Sequence, residues 1–149
     1  EKVHLNIVNA IGKNNGYVFF TQQSTSDTFK LEFYQYANCH KVYDLLHRNY
    51  VIRNLFVRMI SRELNKSNQL ISVFGSNAMF FYELLPYLKS KIKKVDLIHA
   101  FSKPDYGIEL ASLPYVKYLD KRVVINNKTL IDFKKLYIER KLNNYFTNL

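Results

Sequence analysis

Short apolar runs alternate with longer amphipathic segments over residues 70–137. Residues 70–74, 95–101 and 121–125 are rich in β-branched and other apolar side chains, and each run predicts a strand. The segments that follow the first and the third run carry apolar residues at the three- and four-residue spacings of a helix. Because strands alternate with helices, the pattern predicts an α/β, Rossmann-like fold with a parallel or mixed sheet flanked by helices.

The first 38 residues show a different pattern, which predicts three strands at residues 3–10, 17–23 and 29–34. These strands are expected to add an antiparallel edge to the sheet. The loop between the first two, residues 12–16, contains Asn-Gly, which favours a β-hairpin because both residues tolerate positive φ. The alternative is a glycine-containing loop whose backbone N–H groups approach a phosphate.

Three further segments complete the prediction. Residues 41–64 predict one long helix with a basic outer face. Pro86 is expected to end the helix that follows the first apolar run, and Pro114 to break a short helical segment. Residues 142–149 predict a polar, frayed end.

Size and composition predict one domain, residues 1–149. Hydrophobic residues make up 48% of the chain, which excludes an intrinsically disordered protein. No apolar run approaches the roughly 20 residues of a membrane-spanning helix, and no signal peptide is evident. The chain begins at Glu1 without methionine, and we expect its natural termini to lie elsewhere.

The cysteine and histidine content argues against metal and disulfide chemistry. One cysteine, Cys39, excludes an internal disulfide and indicates a reducing compartment, so we expect a cytoplasmic location. The four histidines are scattered without the spacing of metal ligands, and we expect no metal.

The net charge of +10 is concentrated in the second part of the chain. Residues 1–48 carry a net charge of +1 and residues 49–149 a net charge of +9. Such a positive field attracts nucleic acid, acidic lipid surfaces and phosphorylated substrates alike, so the charge alone does not distinguish among these partners.

The candidate site residues lie where the predicted strands end. Gly75, Ser76 and Asn77 follow the first strand, where glycine permits close backbone approach and the two polar residues can cap the next helix. His99 lies near the end of the second strand, and its imidazole can bind a hydroxyl or move a proton near neutral pH. Asn126 follows the third strand as a predicted helix cap. Ligands of open α/β sheets bind at this carboxyl edge.

The order of these features resembles the amino-terminal domain of GT-B glycosyltransferases, particularly the retaining family-4 group. Three segments carry the resemblance: Ser72-Val73-Phe74-Gly75-Ser76-Asn77, Val95-Asp96-Leu97-Ile98-His99-Ala100-Phe101, and residues 120–129 with Asp132, Phe133 and Tyr137. The family's strand that ends in histidine matches the second segment, so His99 is the expected catalytic residue. Asn126 stands where the family usually has serine. The resemblance assigns Gly75, Ser76, Asn77 and Asn126 to acceptor binding.

The resemblance implies the acceptor-side half of a hexosyltransferase-type enzyme of polysaccharide or glycoconjugate biosynthesis. A carboxyl-terminal donor domain would bind the nucleotide-sugar, so no cofactor is expected on this domain alone, and the fragment is expected to be inactive. An anionic membrane surface or a lipid-linked acceptor is the expected partner, which implies peripheral attachment at the inner face of the membrane.

Two alternatives remain open. The basic second part and the abundant Tyr and Phe residues also suit a non-catalytic nucleic-acid-binding module. The aromatic residues, however, stand mostly at the spacing of core positions, so nucleic acid is the less favoured partner. A nucleotide-dependent transferase could use the same carboxyl edge, but the sequence has no phosphate-loop pattern.

Overall fold

The computed structural model describes residues 2–12, 15–23, 28–99, 101 and 106–149, which form helices alternating with short strands. Parallel pairing joins these strands into two sheets, one of two strands and one of three. The predicted α/β, Rossmann-like class with a parallel sheet flanked by helices is therefore confirmed. The elements are, in order, α1 (Lys2–Ile11), β1 (Tyr17–Phe20), α2 (Lys30–Tyr36), β2 (Asn38–Lys41), α3 (Tyr43–Arg48), α4 (Tyr50–Lys66), β3 (Ser72–Ser76), α5 (Met79–Leu84), a 3₁₀ helix (Leu85–Tyr87), β4 (Lys93–Ile98), α6 (Ile108–Ala111), a 3₁₀ helix (Leu113–Tyr118), β5 (Lys121–Val124), α7 (Asn127–Glu139) and a 3₁₀ helix (Asn143–Asn148).

The chain divides into two compact units, Glu1–Leu55 and Phe56–Leu149. In the first, β1 and β2 pair in parallel, with Tyr17 opposite Asn38 and Phe20 opposite Lys41. Its core is small and contains the following buried residues: Leu5, Phe33, Ala37, Val42 and Leu46.

Two of the three strands expected within residues 1–38 are helices, α1 and α2, and the expected antiparallel pairing is wrong. The alternation of apolar and polar residues in α2 suggested that Leu31 and Phe33 share one buried face of a strand. In the helix, Phe33 is buried but Leu31 is 75% exposed. A hairpin at residues 12–16 does not form either. Gly12 instead ends α1 with a positive φ of 81°, and its N–H donates to the Val8 carbonyl at 3.1 Å. Lys13 and Asn14 of this loop lie outside the described residues.

The single helix expected over residues 41–64 is interrupted at Asn49. The backbone there is extended, with φ −162° and ψ 140°. The Asn49 side-chain oxygen accepts a hydrogen bond from the Val51 N–H at 2.7 Å, so the residue caps a new helix, α4.

In the second unit, β4 lies between β3 and β5. Ser76 is level with Leu97, which in turn is level with Val123, so the three strands end close to a common line. The first strand of this sheet was expected at residues 70–74, but β3 begins and ends two residues later. Leu70 is 99% exposed, and Gly75 belongs to β3 rather than to the turn after it.

Both proline predictions are confirmed. Pro86 follows the end of α5 and lies in a 3₁₀ turn, and Pro114 lies in the 3₁₀ helix after α6. Proline cannot supply the backbone N–H that a continuing helix needs.

The expectation of a frayed end at residues 142–149 is wrong. Tyr145, Phe146 and Leu149 pack against a core of buried residues, and the rings of Tyr137 and Phe146 stack with centroids 6.2 Å apart. The Asn148 side chain also donates to the Leu119 carbonyl at 2.9 Å. The buried core residues are Ile98, Val116, Phe133, Leu136 and Tyr137.

Candidate functional site

The register of the second sheet brings most of the predicted site residues to one edge. Asn77 comes one residue after Ser76, at the end of β3. His99 follows the last residue of β4 directly, and Asn126 stands two residues beyond the end of β5. Parallel strands point their carboxyl ends in the same direction, so Ser76, Asn77, His99 and Asn126 share the carboxyl edge of the sheet.

Gly75 has a packing explanation. It is buried in β3, and a Cβ atom placed there would overlap the ring of Phe81. The absent side chain therefore allows α5 to lie against the strand. A role for Gly75 in binding an acceptor stays a prediction.

Neither Ser76 nor Asn77 caps α5, contrary to expectation. The N-cap is Ala78, which makes no side-chain hydrogen bond. Asn77 instead adopts a positive φ of 49°, a conformation that asparagine tolerates better than most residues. It turns the chain from β3 towards the helix, and its side chain is exposed at the edge.

His99 is half-buried at the end of β4. Burial lowers the pKa of its imidazole below the usual 6.5. The ring is therefore largely neutral at pH 7. A neutral imidazole carries one donor and one acceptor nitrogen, so it can accept a proton or a hydrogen bond from a hydroxyl.

Asn126 caps α7, as predicted. Its side-chain oxygen accepts a hydrogen bond from the Thr129 N–H at 2.9 Å. The same residue lines a cleft of about 220 Å³ at the start of the helix, together with Phe101, Lys128, Thr129 and Asp132. Polar groups of both charge signs thus surround this concavity.

A fully buried polar network crosses the sheet between β4 and β5. Asp96 and Arg122 are register partners, and the Arg122 guanidinium donates to one carboxylate oxygen at 2.9 Å from Nε and 2.7 Å from Nη2. The Tyr82 hydroxyl donates to the same oxygen at 2.9 Å. Arg122 also donates to Ser112 Oγ at 2.8 Å and to the Tyr137 hydroxyl at 3.1 Å.

The electrostatics of this network indicate a structural role. Burial raises the pKa of Tyr82, and the Asp96 charge raises it further. Burial likewise raises the pKa of Tyr137. Burial opposes the charge on Arg122, but Asp96 offsets it and the net effect raises the pKa of the guanidinium. Both tyrosine hydroxyls are therefore protonated near neutral pH, and the hydrogen bonds of the network join strands and helices.

The sequence prediction missed this network. A signal was present, because Asp96 lies inside the apolar segment Val95-Asp96-Leu97, and the cation Arg122 lies near the start of the predicted third strand. A charged residue inside a buried strand requires a partner.

Within the described ranges, no group of three His, Cys, Asp or Glu residues could hold a metal ion. The helices of the same ranges are all too short or too polar to cross a membrane. No protein-family model, curated protein or solved structure matches this chain.

Proposed function

We propose that this chain is the acceptor-side domain of a GT-B-like glycosyltransferase, which transfers a sugar from a nucleotide-sugar to a polysaccharide or glycoconjugate. One observation carries the proposal. The polar residues of the three segments that resemble the family lie at the carboxyl ends of adjacent parallel strands, where open α/β sheets bind ligands.

The chemistry of the edge suits a sugar acceptor. Sugars offer many hydroxyls, which amide and imidazole groups can bind as donors and acceptors. Asn77 and Asn126 are exposed and carry amides, and His99 carries an imidazole that is largely neutral at pH 7. His99 takes the role of catalytic residue near the transferred sugar, where it binds a hydroxyl or accepts its proton.

The proposal assigns the nucleotide-sugar to a separate donor domain. The acceptor-side residues then bind saccharide without nucleotide, and chemistry requires both domains. Sugar transfer by this chain alone, incubated with nucleotide-sugars and saccharides, would contradict this division.

Saccharide binding to the ¹⁵N-labelled chain tests the proposal directly. We expect a panel of mono- and disaccharides to include ligands that shift the amide signals of Ser76, Asn77, His99 and Asn126 in a saturable way. His99→Ala should weaken that binding several-fold. His47→Ala, which removes a histidine of α3 instead, is the matched control and should not. A panel without any saccharide that shifts these signals, or equal losses in both variants, would contradict the proposal.

A further inference from the structure

A second cleft, of about 420 Å³, lies in the unit Phe56–Leu149 away from the carboxyl edge. One wall is α4. The other is the segment that runs from Tyr87 towards the amino end of β4. The cleft therefore lies beside the loops that enter β3 and β4, not beside those that leave them. Its lining consists of Arg58, Ser61, Arg62, Asn65, Lys66, Tyr87 and Lys89.

The lining of this cleft carries four cationic side chains and no acidic one. Arg58, Arg62 and Lys66 recur every fourth residue, which aligns them along one face of α4. Lys89 faces them from the other wall. Like charges at this spacing repel one another, so the row gains stability from a bound anion.

One acidic residue, Glu63, lies close enough to Lys66 and Arg62 for both cations to lower its pKa. Lys66 forms an exposed ion pair with Glu63 at 2.7 Å. For Arg58, Arg62 and Lys89, the described part of the chain supplies no ion pair.

Specific contacts fix the shape of the cleft. The Asn65 amide donates to the Tyr87 carbonyl at 2.7 Å, and its oxygen accepts from the Lys89 N–H at 2.8 Å. One side chain thus fastens the two walls together. The Arg58 guanidinium lies over the Tyr87 ring, 5.2 Å from its centroid. Buried Ser61 donates to the Val57 carbonyl at 2.8 Å and forms part of the lining.

We propose that this cleft binds a phosphate group, either a phosphomonoester or a diphosphate. Two arginines offer planar forks of donors that match phosphate oxygens, and two lysines supply further charge. The cleft, of about 420 Å³, has room for either group. The lining contains a single aromatic residue, Tyr87, whereas proteins that bind single-stranded nucleic acid usually present several aromatic side chains on which successive bases stack. This site is independent of the acceptor site proposed above.

Inorganic pyrophosphate is the soluble probe. Titrated into the ¹⁵N-labelled chain, it should shift amide signals of the cleft lining in a saturable way. The double variant Arg62→Gln, Lys89→Gln should bind it at least about tenfold more weakly, since charge-assisted hydrogen bonds are lost. The matched control is Lys134→Gln, Lys135→Gln, which removes the same charge from exposed positions of α7. No saturable shift, or equal weakening in both double variants, would overturn the proposal.

Vesicles distinguish a lipid headgroup from a soluble ligand. Stronger sedimentation with phosphatidic acid than with phosphatidylserine at equal vesicle charge, displaced by pyrophosphate, would assign the site to a lipid phosphomonoester. Pyrophosphate binding without this preference would assign it to a soluble phosphorylated molecule. Tighter binding of single-stranded oligonucleotide than of pyrophosphate, with shifts extending beyond the cleft, would overturn the proposal in favour of nucleic acid.

Discussion

The ring of Phe81 fills the space that a side chain at position 75 would occupy, so α5 packs on the backbone of β3 at Gly75. Glycine is needed at this position for space and not for backbone conformation, because its φ lies outside the left-handed region.

Gly75→Ala should lower the free energy of unfolding by about 1–3 kcal/mol, because the methyl group forces the Phe81 ring to move. Urea denaturation measures the change. Combining it with Phe81→Leu should cost less than the sum of the single changes, since the smaller side chain relieves the overlap.

The chain offers a matched control for this substitution. A Cβ at Gly16 would meet only ordinary contacts, the nearest at 3.7 Å, and its φ is not positive. Gly16→Ala should therefore be neutral or slightly stabilising. Equal destabilisation by Gly16→Ala and Gly75→Ala would contradict the role of Phe81.

Removing one member of the buried ion pair should be costly. Asp96→Asn leaves the Arg122 guanidinium buried without a full counter-charge, and we expect a loss of about 3–5 kcal/mol in the free energy of unfolding. Glu63→Gln, which breaks an exposed pair with Lys66, should leave the urea midpoint unchanged. The double variant Asp96→Asn, Arg122→Met should cost less than the sum of the two single changes, because the two side chains interact directly. Additive losses would show that the two side chains are not coupled.

The Asn126 cap should be separable from any role in binding. Asn126→Ala removes the acceptor of the Thr129 N–H and should destabilise α7 by about 1 kcal/mol, as thermal unfolding would detect. Asn126→Ser should retain most of the stability, since serine also caps helices. Similar losses in the two variants would show that the hydrogen bond is not what matters.

The stability of the chain should depend on His99 in the acidic range. Burial lowers its pKa below 6.5, so between the folded-state pKa and pH 6.5 the unfolded chain binds a proton at this position that the folded chain does not. The contribution of this group to the free energy of unfolding is therefore complete above pH 6.5. It decreases as the pH drops towards the lower, folded-state pKa.

NMR titration of the imidazole signals measures this effect directly. The His99 midpoint should lie below 6.5 in the folded chain and return to about the ordinary value in urea. His99→Gln should remove its share of the acid dependence of the urea midpoint. A folded-state midpoint above 6.5 would contradict the prediction.

The sequence predicted the sheet of the second unit well and the first unit poorly. The apolar runs that became β4 and β5, and the cap at Asn126, are strong local signals that tertiary packing preserves. In residues 1–11, by contrast, apolar residues fit both an alternating and a helical period, and local sequence cannot decide between them. β2 (Asn38–Lys41) carries almost no apolar signal of its own. It is a strand because it pairs with β1, and such pairing cannot be read from the local sequence.

The candidate site was predicted in the same uneven way. The common edge of Asn77, His99 and Asn126 follows from the alternation of strands with helices, because this pattern predicts parallel strands. The basic cleft could not be found by pattern, because Lys89 meets the arginines of α4 only through the fold and the hydrogen bonds of Asn65.

The buried pair of Asp96 and Arg122 also bears on the register in which β4 and β5 pair. β4 and β5 have six and four residues, and so short a contact offers few apolar pairs that could tell one alignment from another. A slip of one residue would turn Arg122 to the opposite face of the sheet, away from Asp96, and bury a carboxylate without its counter-charge. We infer that the pair discriminates against misaligned strands, so that its loss would increase conformational heterogeneity in the folded state as well as weaken it.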